Sequence, residues 1–331
     1  MIVSRTPFRI SFCGGGSDMP YFFEKHGGCT ISTTINKYIY LSISKSFTPG
    51  TSTIKYSSVE QFSSIDEINH PIFRECIRDY NLDSIEICST ADVPAGTGLG
   101  SSSSFTVGLM NLFSRYIGEN ASKEFLADAA CRMEMERLGD PVGKQDQYAA
   151  SYGGFNYYDF KKDGSVEVTP MDIGESNLEK MNRNLLMMYT GKTRKASKIL
   201  VKQNQNFEKG NTEENTLQLC KLTKDLRREL LAGNVDFVGK ALREGWELKK
   251  TLADTISSPD IDEMYNVAMD CGAEGGKLLG AGGGGFLLFY APQECHDSII
   301  KNLKGLRNIP FEFEKEGSLI VYDDSSRRGD Q

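Results

Sequence analysis

The stretch Val93-Pro94-Ala95-Gly96-Thr97-Gly98-Leu99-Gly100-Ser101-Ser102-Ser103-Ser104 constrains this chain more than any other. A strand-like run, 85–90, leads into it. Behind it Phe105, Leu109, Leu112, Phe113 and Tyr116 recur three to four residues apart, the period of a helix that buries one face. The order is therefore strand, glycine-rich loop, helix N-terminus. Glycine has no Cβ and tolerates positive φ, so such a loop lets backbone N–H groups close on an anion. The unpaired N–H groups and the dipole of the helix start favour phosphate, and the serines supply hydroxyl donors or a metal ligand. Lys-Ser/Thr does not follow the last glycine, so the loop is not of the Walker A type. Gly96-x-Gly98-x-Gly100 also lacks the final spacing of the dinucleotide fingerprint.

Composition narrows the partner by exclusion. The 331 residues are enough for two domains flanking a cleft, and the net charge is −7. That charge argues against a nucleic-acid or anionic-membrane partner, and it requires any site for an anionic substrate to be built locally. The eight cysteines are scattered, without a C-x-x-C pair or zinc spacing, which reads as free thiols in a reducing compartment. With no signal-peptide pattern and no apolar run long enough to span a bilayer, the expected location is cytoplasmic.

Along the chain, 2–12 reads as a strand interrupted at Pro7. It runs into the sharp loop Gly14-Gly15-Gly16-Ser17-Asp18 and a short helix ending at Gly27-Gly28. Residues 38–44 alternate as a half-buried antiparallel strand does. A helix is expected over 71–80, and Ser122 can cap another reaching about Leu138. Glu134 and Glu136 flank the apolar stripe of that helix on opposite sides, and helical geometry does not choose between them. The second half begins with a buried strand, 185–189. Helices follow to about 209 and near 213–232, 235–253 and 260–271. Then come a glycine run, 282–285, an apolar strand, a helix over about 293–304 and two closing strands, 311–314 and 319–322. The expected division falls within 165–182, giving domains of 1–175 and 176–331.

Pro94-x-Gly96-x-Gly98-Leu99-Gly100-Ser101-Ser102-Ser103 resembles the phosphate-binding motif of the GHMP kinases, which include galactokinase, homoserine kinase and mevalonate kinase. Residues 6–18 are similar to the first motif of that family, A-P-G-R-V-N-L-I-G-E-H-T-D in galactokinases. Lys277-Leu278-Leu279-Gly280-Ala281-Gly282-Gly283-Gly284-Gly285 is similar to the third, K-x-x-G-A-G-x-G-G. The resemblance implies a two-domain α+β fold, with a ribosomal protein S5-like N-terminal domain and a ferredoxin-like C-terminal domain. It also implies phosphoryl transfer from ATP with Mg²⁺. On the nucleotide it places Pro94, Ala95, Gly96, Thr97, Gly98, Leu99, Gly100, Ser101, Ser102 and Ser103, together with Gly282 and Gly283. On Mg²⁺ it places Ser102 and Glu134, because Glu134-Met135-Glu136-Arg137-Leu138-Gly139 is similar to E-H-E-F-A-G, whose first glutamate binds the metal. Gly139-Asp140-Pro141-Val142-Gly143-Lys144-Gln145-Asp146-Gln147-Tyr148 resembles G-x-P-C-G-I-M-D-Q-F, which makes Asp146 the catalytic base with Arg9 beside it. Asp18, with Ser17, Gly16 and Gly28, falls on the sugar site. Gly15 and Gly16 replace the Glu-His that contacts sugar in galactokinases, which implies a roomier pocket.

A narrower likeness, carried by residues 4–18 and by Tyr189-Thr190-Gly191-x-Thr193-Arg194, is to the D-glycero-D-manno-heptose 7-phosphate kinases. These bacterial enzymes make heptose 1,7-bisphosphate on the way to nucleotide-activated heptose for surface glycans. The likeness implies phosphorylation of the anomeric hydroxyl of a sugar phosphate. Lys192, Arg194 and Lys195 stand where a strand ends and a helix begins, a position where the dipole disfavours cations. In an acidic chain this points to a bound anion, with Arg194 and Lys195 expected on the phosphate already carried by the substrate. Three other readings share the motifs. One is a kinase for a free sugar such as fucose or galactose. Another is a non-catalytic sugar-and-ATP sensor, against which the joint retention of Arg9, Glu134 and Asp146 argues. The last is an ATP-dependent decarboxylase, against which the sugar-type first motif argues. Sugar phosphate and ATP are the expected partners, with neither nucleic acid nor membrane.

Overall fold

One strand of 18 residues, Gly28–Lys45, organises the first layer of the computed structural model, which describes residues 1–193, 196–210 and 212–324. The sequence marked only 38–44 of it, where exposed and buried residues alternate. Residues 28–35 are buried throughout, and a strand covered on both faces shows no alternation. Along one edge it pairs antiparallel with Ile2–Cys13. Along the other edge three strands follow end to end: Phe155–Phe160, Phe313–Glu314 and Ile85–Ala91. Ser52–Lys55 joins parallel to Ile85–Ala91, Val59–Phe62 extends it, and Val166–Pro170 lies outside Phe155–Phe160. Pro7 has no N–H to give the ladder, and the register slips between Pro7 and Phe8. Beyond the slip, Arg9 and Ser11 share one face.

The closing strands correct the second-domain assignment. Phe313–Glu314 and Leu319–Asp323 return to the first sheet, with Leu319 opposite Arg5 and Asp323 opposite Ile2. They thereby cover an edge of Ile2–Cys13 whose backbone groups would otherwise face solvent unpaired. The helix Ser101–Tyr116 lies close against this sheet. Ser4 Oγ donates to the Gly108 carbonyl and Ser104 Oγ to the Pro7 carbonyl, each at 2.9 Å. A Cβ at Gly108 would stand 2.6 Å from Thr6 Oγ1, so only glycine allows this approach. The start of the helix is thereby fixed relative to the strand that carries Arg9.

The second layer is a four-stranded antiparallel sheet in the order Arg307–Asn308, Leu185–Tyr189, Phe286–Tyr290, Gly275–Leu278. Four helices, Ala196–Glu208, Glu213–Leu231, Phe237–Lys250 and Pro259–Asp270, connect the first two strands in chain order, and Gln293–Asn302 precedes the last. Strand–helix–strand–strand–helix–strand with this order is the ferredoxin-like plan. Trp246 is fully buried here, beside Tyr265, as a core residue. The principal core is continuous between the layers, joining Leu41 and Phe113 to Leu226, Leu242 and Leu288. Among the described residues no helix is long and apolar enough to cross a membrane.

Candidate active site

Both sheets contribute walls to a cavity of about 350 Å³. The phosphate-type loop forms one rim. Gly96, Gly98 and Gly100 adopt φ of 75°, 89° and 73°, a region closed to most side chains. Gly100 precedes Ser101–Tyr116 and no side chain caps that helix, which leaves its first-turn N–H groups for a ligand. Ser101, Ser102 and Ser103 line the cavity there. Thr97 and Leu99 are buried with their side chains inward, Thr97 donating to the Pro94 carbonyl at 3.0 Å. Pro94 and Ala95 are exposed and lie outside the cavity wall.

Arg9 and Asp146 meet as a fork. Arg9 Nε and Nη2 donate to Asp146 Oδ1 and Oδ2, both at 2.8 Å, while Nη1 donates to the Gly98 carbonyl at 2.7 Å. The Arg9 backbone N–H also reaches the Leu99 carbonyl at 3.1 Å. One arginine thus fixes both the candidate base and the phosphate-type loop, and removing either partner of such a largely buried pair costs about 3–5 kcal/mol.

Glu134 continues the buried face of the helix that leads to it. Ser122 caps Lys123–Arg132 as expected, accepting from the Phe125 N–H at 3.1 Å. The helix then widens into a π turn over Met133–Arg137, with the Leu138 N–H donating to the Met133 carbonyl at 3.0 Å. Ala127, Ala130, Cys131 and Glu134 are buried at regular helical spacing, so the face is already set where the π turn begins. Glu134 ends 1% exposed, while Glu136 faces solvent. The Glu134 carboxylate accepts from Ser103 Oγ at 2.9 Å, Thr106 Oγ1 at 2.6 Å and Gln147 Nε2 at 2.9 Å. Burial pushes it up to about 7 against the pull of those donors. Ser103, Thr106 and Gln147 are all neutral, so a cation delivered with the ligand suits the carboxylate. Mg²⁺ prefers oxygen and uses one or two protein carboxylates plus substrate phosphates.

At the sugar end Asp18 is buried. It accepts from the Gly16 N–H at 3.0 Å and the Gln145 N–H at 3.3 Å. Burial, and secondarily the Asp146 charge, push it above the usual carboxylate range. Gly16 lines the cavity, but Ser17 and Gly28 do not. Ser17 is fully buried; its Oγ donates to the Gly14 carbonyl at 2.8 Å and accepts from the Cys29 N–H at 3.0 Å. A Cβ at Gly28 would stand 1.9 Å from the Ser17 carbonyl oxygen. Both residues brace the loop from behind the cavity wall. Gly282 and Gly283 are similarly displaced from their expected place. Gly280 and Ala281 line the cavity, whereas the Gly283 N–H donates to the Ile256 carbonyl at 2.8 Å and Gly282 packs on Ile256. Arg194 and Lys195 lie outside the described residues, and Lys192 pairs with Asp260 at 2.6 Å.

Sequence reasoning assigned no role to Thr106, Gln147, Lys249 or Lys277. Thr106 lies one helical turn after Ser103, a spacing that could have flagged it. Gln147 flanks Asp146, and Lys277 opens the third glycine motif.

A phosphate-type loop, a forked Arg–Asp pair and a buried glutamate around one cavity define a small-molecule kinase. The chain matches the GHMP kinases N-terminal domain over residues 70–154 and the GHMP kinases C-terminal domain over residues 226–303. It belongs to the GHMP kinases, phosphotransferases that use ATP. A D-glycero-alpha-D-manno-heptose 7-phosphate kinase of Campylobacter jejuni is 28% identical over 96% of this chain and 97% of that one. A galactokinase of Pyrococcus furiosus is 26% identical over 86% and 87%. The crystal structure of a D-glycero-D-manno-heptose 1-phosphate kinase from Bacteroides thetaiotaomicron superposes with a TM-score of 0.79 at 26% identity, covering 98% of this chain and 100% of that one. The chain is therefore a sugar kinase of the GHMP family, similar to the heptose phosphate kinases.

Proposed function

We propose that this chain transfers the γ-phosphoryl group of ATP to the anomeric hydroxyl of D-glycero-D-manno-heptose 7-phosphate. The product is the 1,7-bisphosphate, used in making nucleotide-activated heptose for surface glycans. The observation that carries the reading is the end-to-end likeness to the Campylobacter jejuni kinase. The room left at the sugar end by Gly15 and Gly16 agrees with it.

In this reading Asp146 orients the acceptor hydroxyl and takes its proton. Arg9 holds both carboxylate oxygens, so the base keeps one orientation, and it adds positive charge where negative charge develops. Backbone N–H groups of residues 96–102 hold the β- and γ-phosphates. Ser102 and Glu134 are the residues that would hold Mg²⁺, which when bound supplies charge neutralisation to the phosphates. Ser103, Thr106 and Gln147 keep the Glu134 carboxylate aimed. Asp18 and the Gly16 backbone position the sugar. Residues 1–175 form the first domain and 176 onwards the second, apart from the two closing strands.

The test is an ADP-release assay over heptose 7-phosphate, heptose 1-phosphate, free heptose, L-fucose and D-galactose. The 7-phosphate should exceed the others in kcat/KM by about 100-fold or more, roughly 2.7 kcal/mol of discrimination. Faster turnover of a free sugar, or of the 1-phosphate, would replace the assignment.

A further inference from the structure

The cavity holds a cation that the scheme above leaves without a role. Lys277 is the third residue of Gly275–Leu278, just ahead of the second glycine loop; it is 6% exposed and lines the cavity. Its Nζ donates to the Phe12 carbonyl at 3.2 Å, and among the described residues it forms no ion pair with a carboxylate. A buried ammonium with three donors and one neutral acceptor is expensive to keep. Burial pushes Lys277 down to about 8; the Cys13 thiol pulls the other way, and Arg9, another cation, adds to the fall. Arg9 is already matched by Asp146.

A charge kept this way fits an anion that is present only when the cavity is filled. Position selects which anion. Lys277 Nζ reaches Phe12, three residues beyond Arg9 on the strand Ile2–Cys13, and Arg9 is bonded to both Asp146 and the Gly98 carbonyl. Two and three residues after Lys277, Leu279 and Gly280 press on Gly98. Lys277 therefore stands beside the gap between the phosphate-type loop and the candidate base.

We propose that Lys277 is a further catalytic residue, whose ammonium meets the phosphoryl group during its transfer. In that step the acceptor oxygen bonds to the γ-phosphorus and the bond to the bridging oxygen breaks. Its electron pair leaves with ADP, and the acceptor proton passes to Asp146. The assignment rests on the kinase activity and not on the identity of the sugar.

The experiment compares the full-length wild type with Lys277→Met, Lys277→Gln and Lys277→Arg. Each is assayed with Mg²⁺-ATP and whichever panel acceptor the wild type phosphorylates fastest. Lys277→Met should lower kcat by about 100- to 1,000-fold, with both KM values within about threefold, the signature of an interaction made in the transition state. Lys277→Gln keeps a donor for the Phe12 carbonyl and should lose as much, while Lys277→Arg should recover at least about tenfold. Binding of ADP with Mg²⁺ and aluminium fluoride should weaken in the two neutral variants while binding of ADP alone does not. Normal turnover in Lys277→Gln would overturn the proposal in favour of a structural staple between the sheets. A loss confined to the acceptor KM would overturn it in favour of a ground-state anchor.

Discussion

The two walls of the cavity carry opposite charge. The wall from the first half is mostly acidic: Asp18, Glu134, Asp140 and Asp146 line it together with Arg9. The wall from the second half brings Lys249, Lys277 and a glycine loop. They also differ in how they are held. Glu134 accepts three side-chain donors and Asp146 a two-pronged guanidinium, so the acidic wall is rigid before any ligand arrives. On the basic wall Lys249 donates to the Leu278 carbonyl at 3.0 Å and to the Gly280 carbonyl, holding the loop, while Lys277 makes one bond to backbone. A chain of net charge −7 thus places two buried lysines on one wall of the cavity, opposite the carboxylates of the other.

The comparison breaks most severely at Asp146. Asp146→Asn should lower kcat by roughly 10²- to 10⁴-fold while a nucleotide titration shows ATP binding nearly intact. Turnover close to wild type would remove the base from the acidic wall. Next in size is the seam between the walls. A Cβ at Gly280, whose φ is 69°, would stand 2.4 Å from Gly98 Cα, backbone against backbone. Gly280→Ala should cost roughly 1–3 kcal/mol in denaturant unfolding and reduce kcat/KM for ATP about tenfold or more. An unaffected variant would mean that the loops do not touch.

Opposite charge also gives opposite pH dependence. Glu134 titrates at about 7 folded against an ordinary 4.5, so between those values the folded state binds more protons and stability falls as pH rises. Lys277 titrates at about 8 folded against an ordinary 10.5, so there the unfolded state binds more and stability rises with pH. In ligand-free protein, Glu134→Gln should raise Tm by a few degrees at pH 7 and by less at pH 5. Lys277→Met should raise it at pH 7 and by less toward pH 10. Thermal melts across pH check both, and gains of the same sign of slope would refute the contrast. Smallest is Ser17→Ala. It should lower stability by about 1 kcal/mol in a denaturant melt, the worth of a buried hydrogen bond, with the acceptor KM within about threefold.

The sequence made the phosphate-type loop and its helix legible because both depend on local features: glycine spacing and one apolar stripe. Alternating strands and helices suited a ferredoxin-like second domain, but the closing strands counted in it belong to the first sheet, and Gly275–Leu278 and Arg307–Asn308 gave no strand signal. Other features depend on distant partners. Leu319 pairs with Arg5, and nothing near either residue announces it. Glu134 could be told from Glu136 only by resemblance, because Phe125 draws the apolar stripe to one side although it is 47% exposed, while the buried face runs through Ala127, Ala130 and Cys131 to Glu134. In the run from Gly280 to Gly285 composition cannot tell which residues face the cavity; Ile256, far off in sequence, decides that Gly282 and Gly283 do not. Lys277 was visible at the head of the third motif, but its place on a strand was not, since every residue of Gly275–Leu278 is buried and the strand shows no exposed face.

The proposed transfer to an anomeric hydroxyl is decided by ³¹P NMR of wild-type protein incubated with Mg²⁺-ATP and D-glycero-D-manno-heptose 7-phosphate. ADP should accumulate one-for-one with a new sugar phosphate resonance coupled to the anomeric proton, with the 7-phosphate signal retained. ADP release without that resonance, or a new phosphate on any other carbon, would refute the assignment.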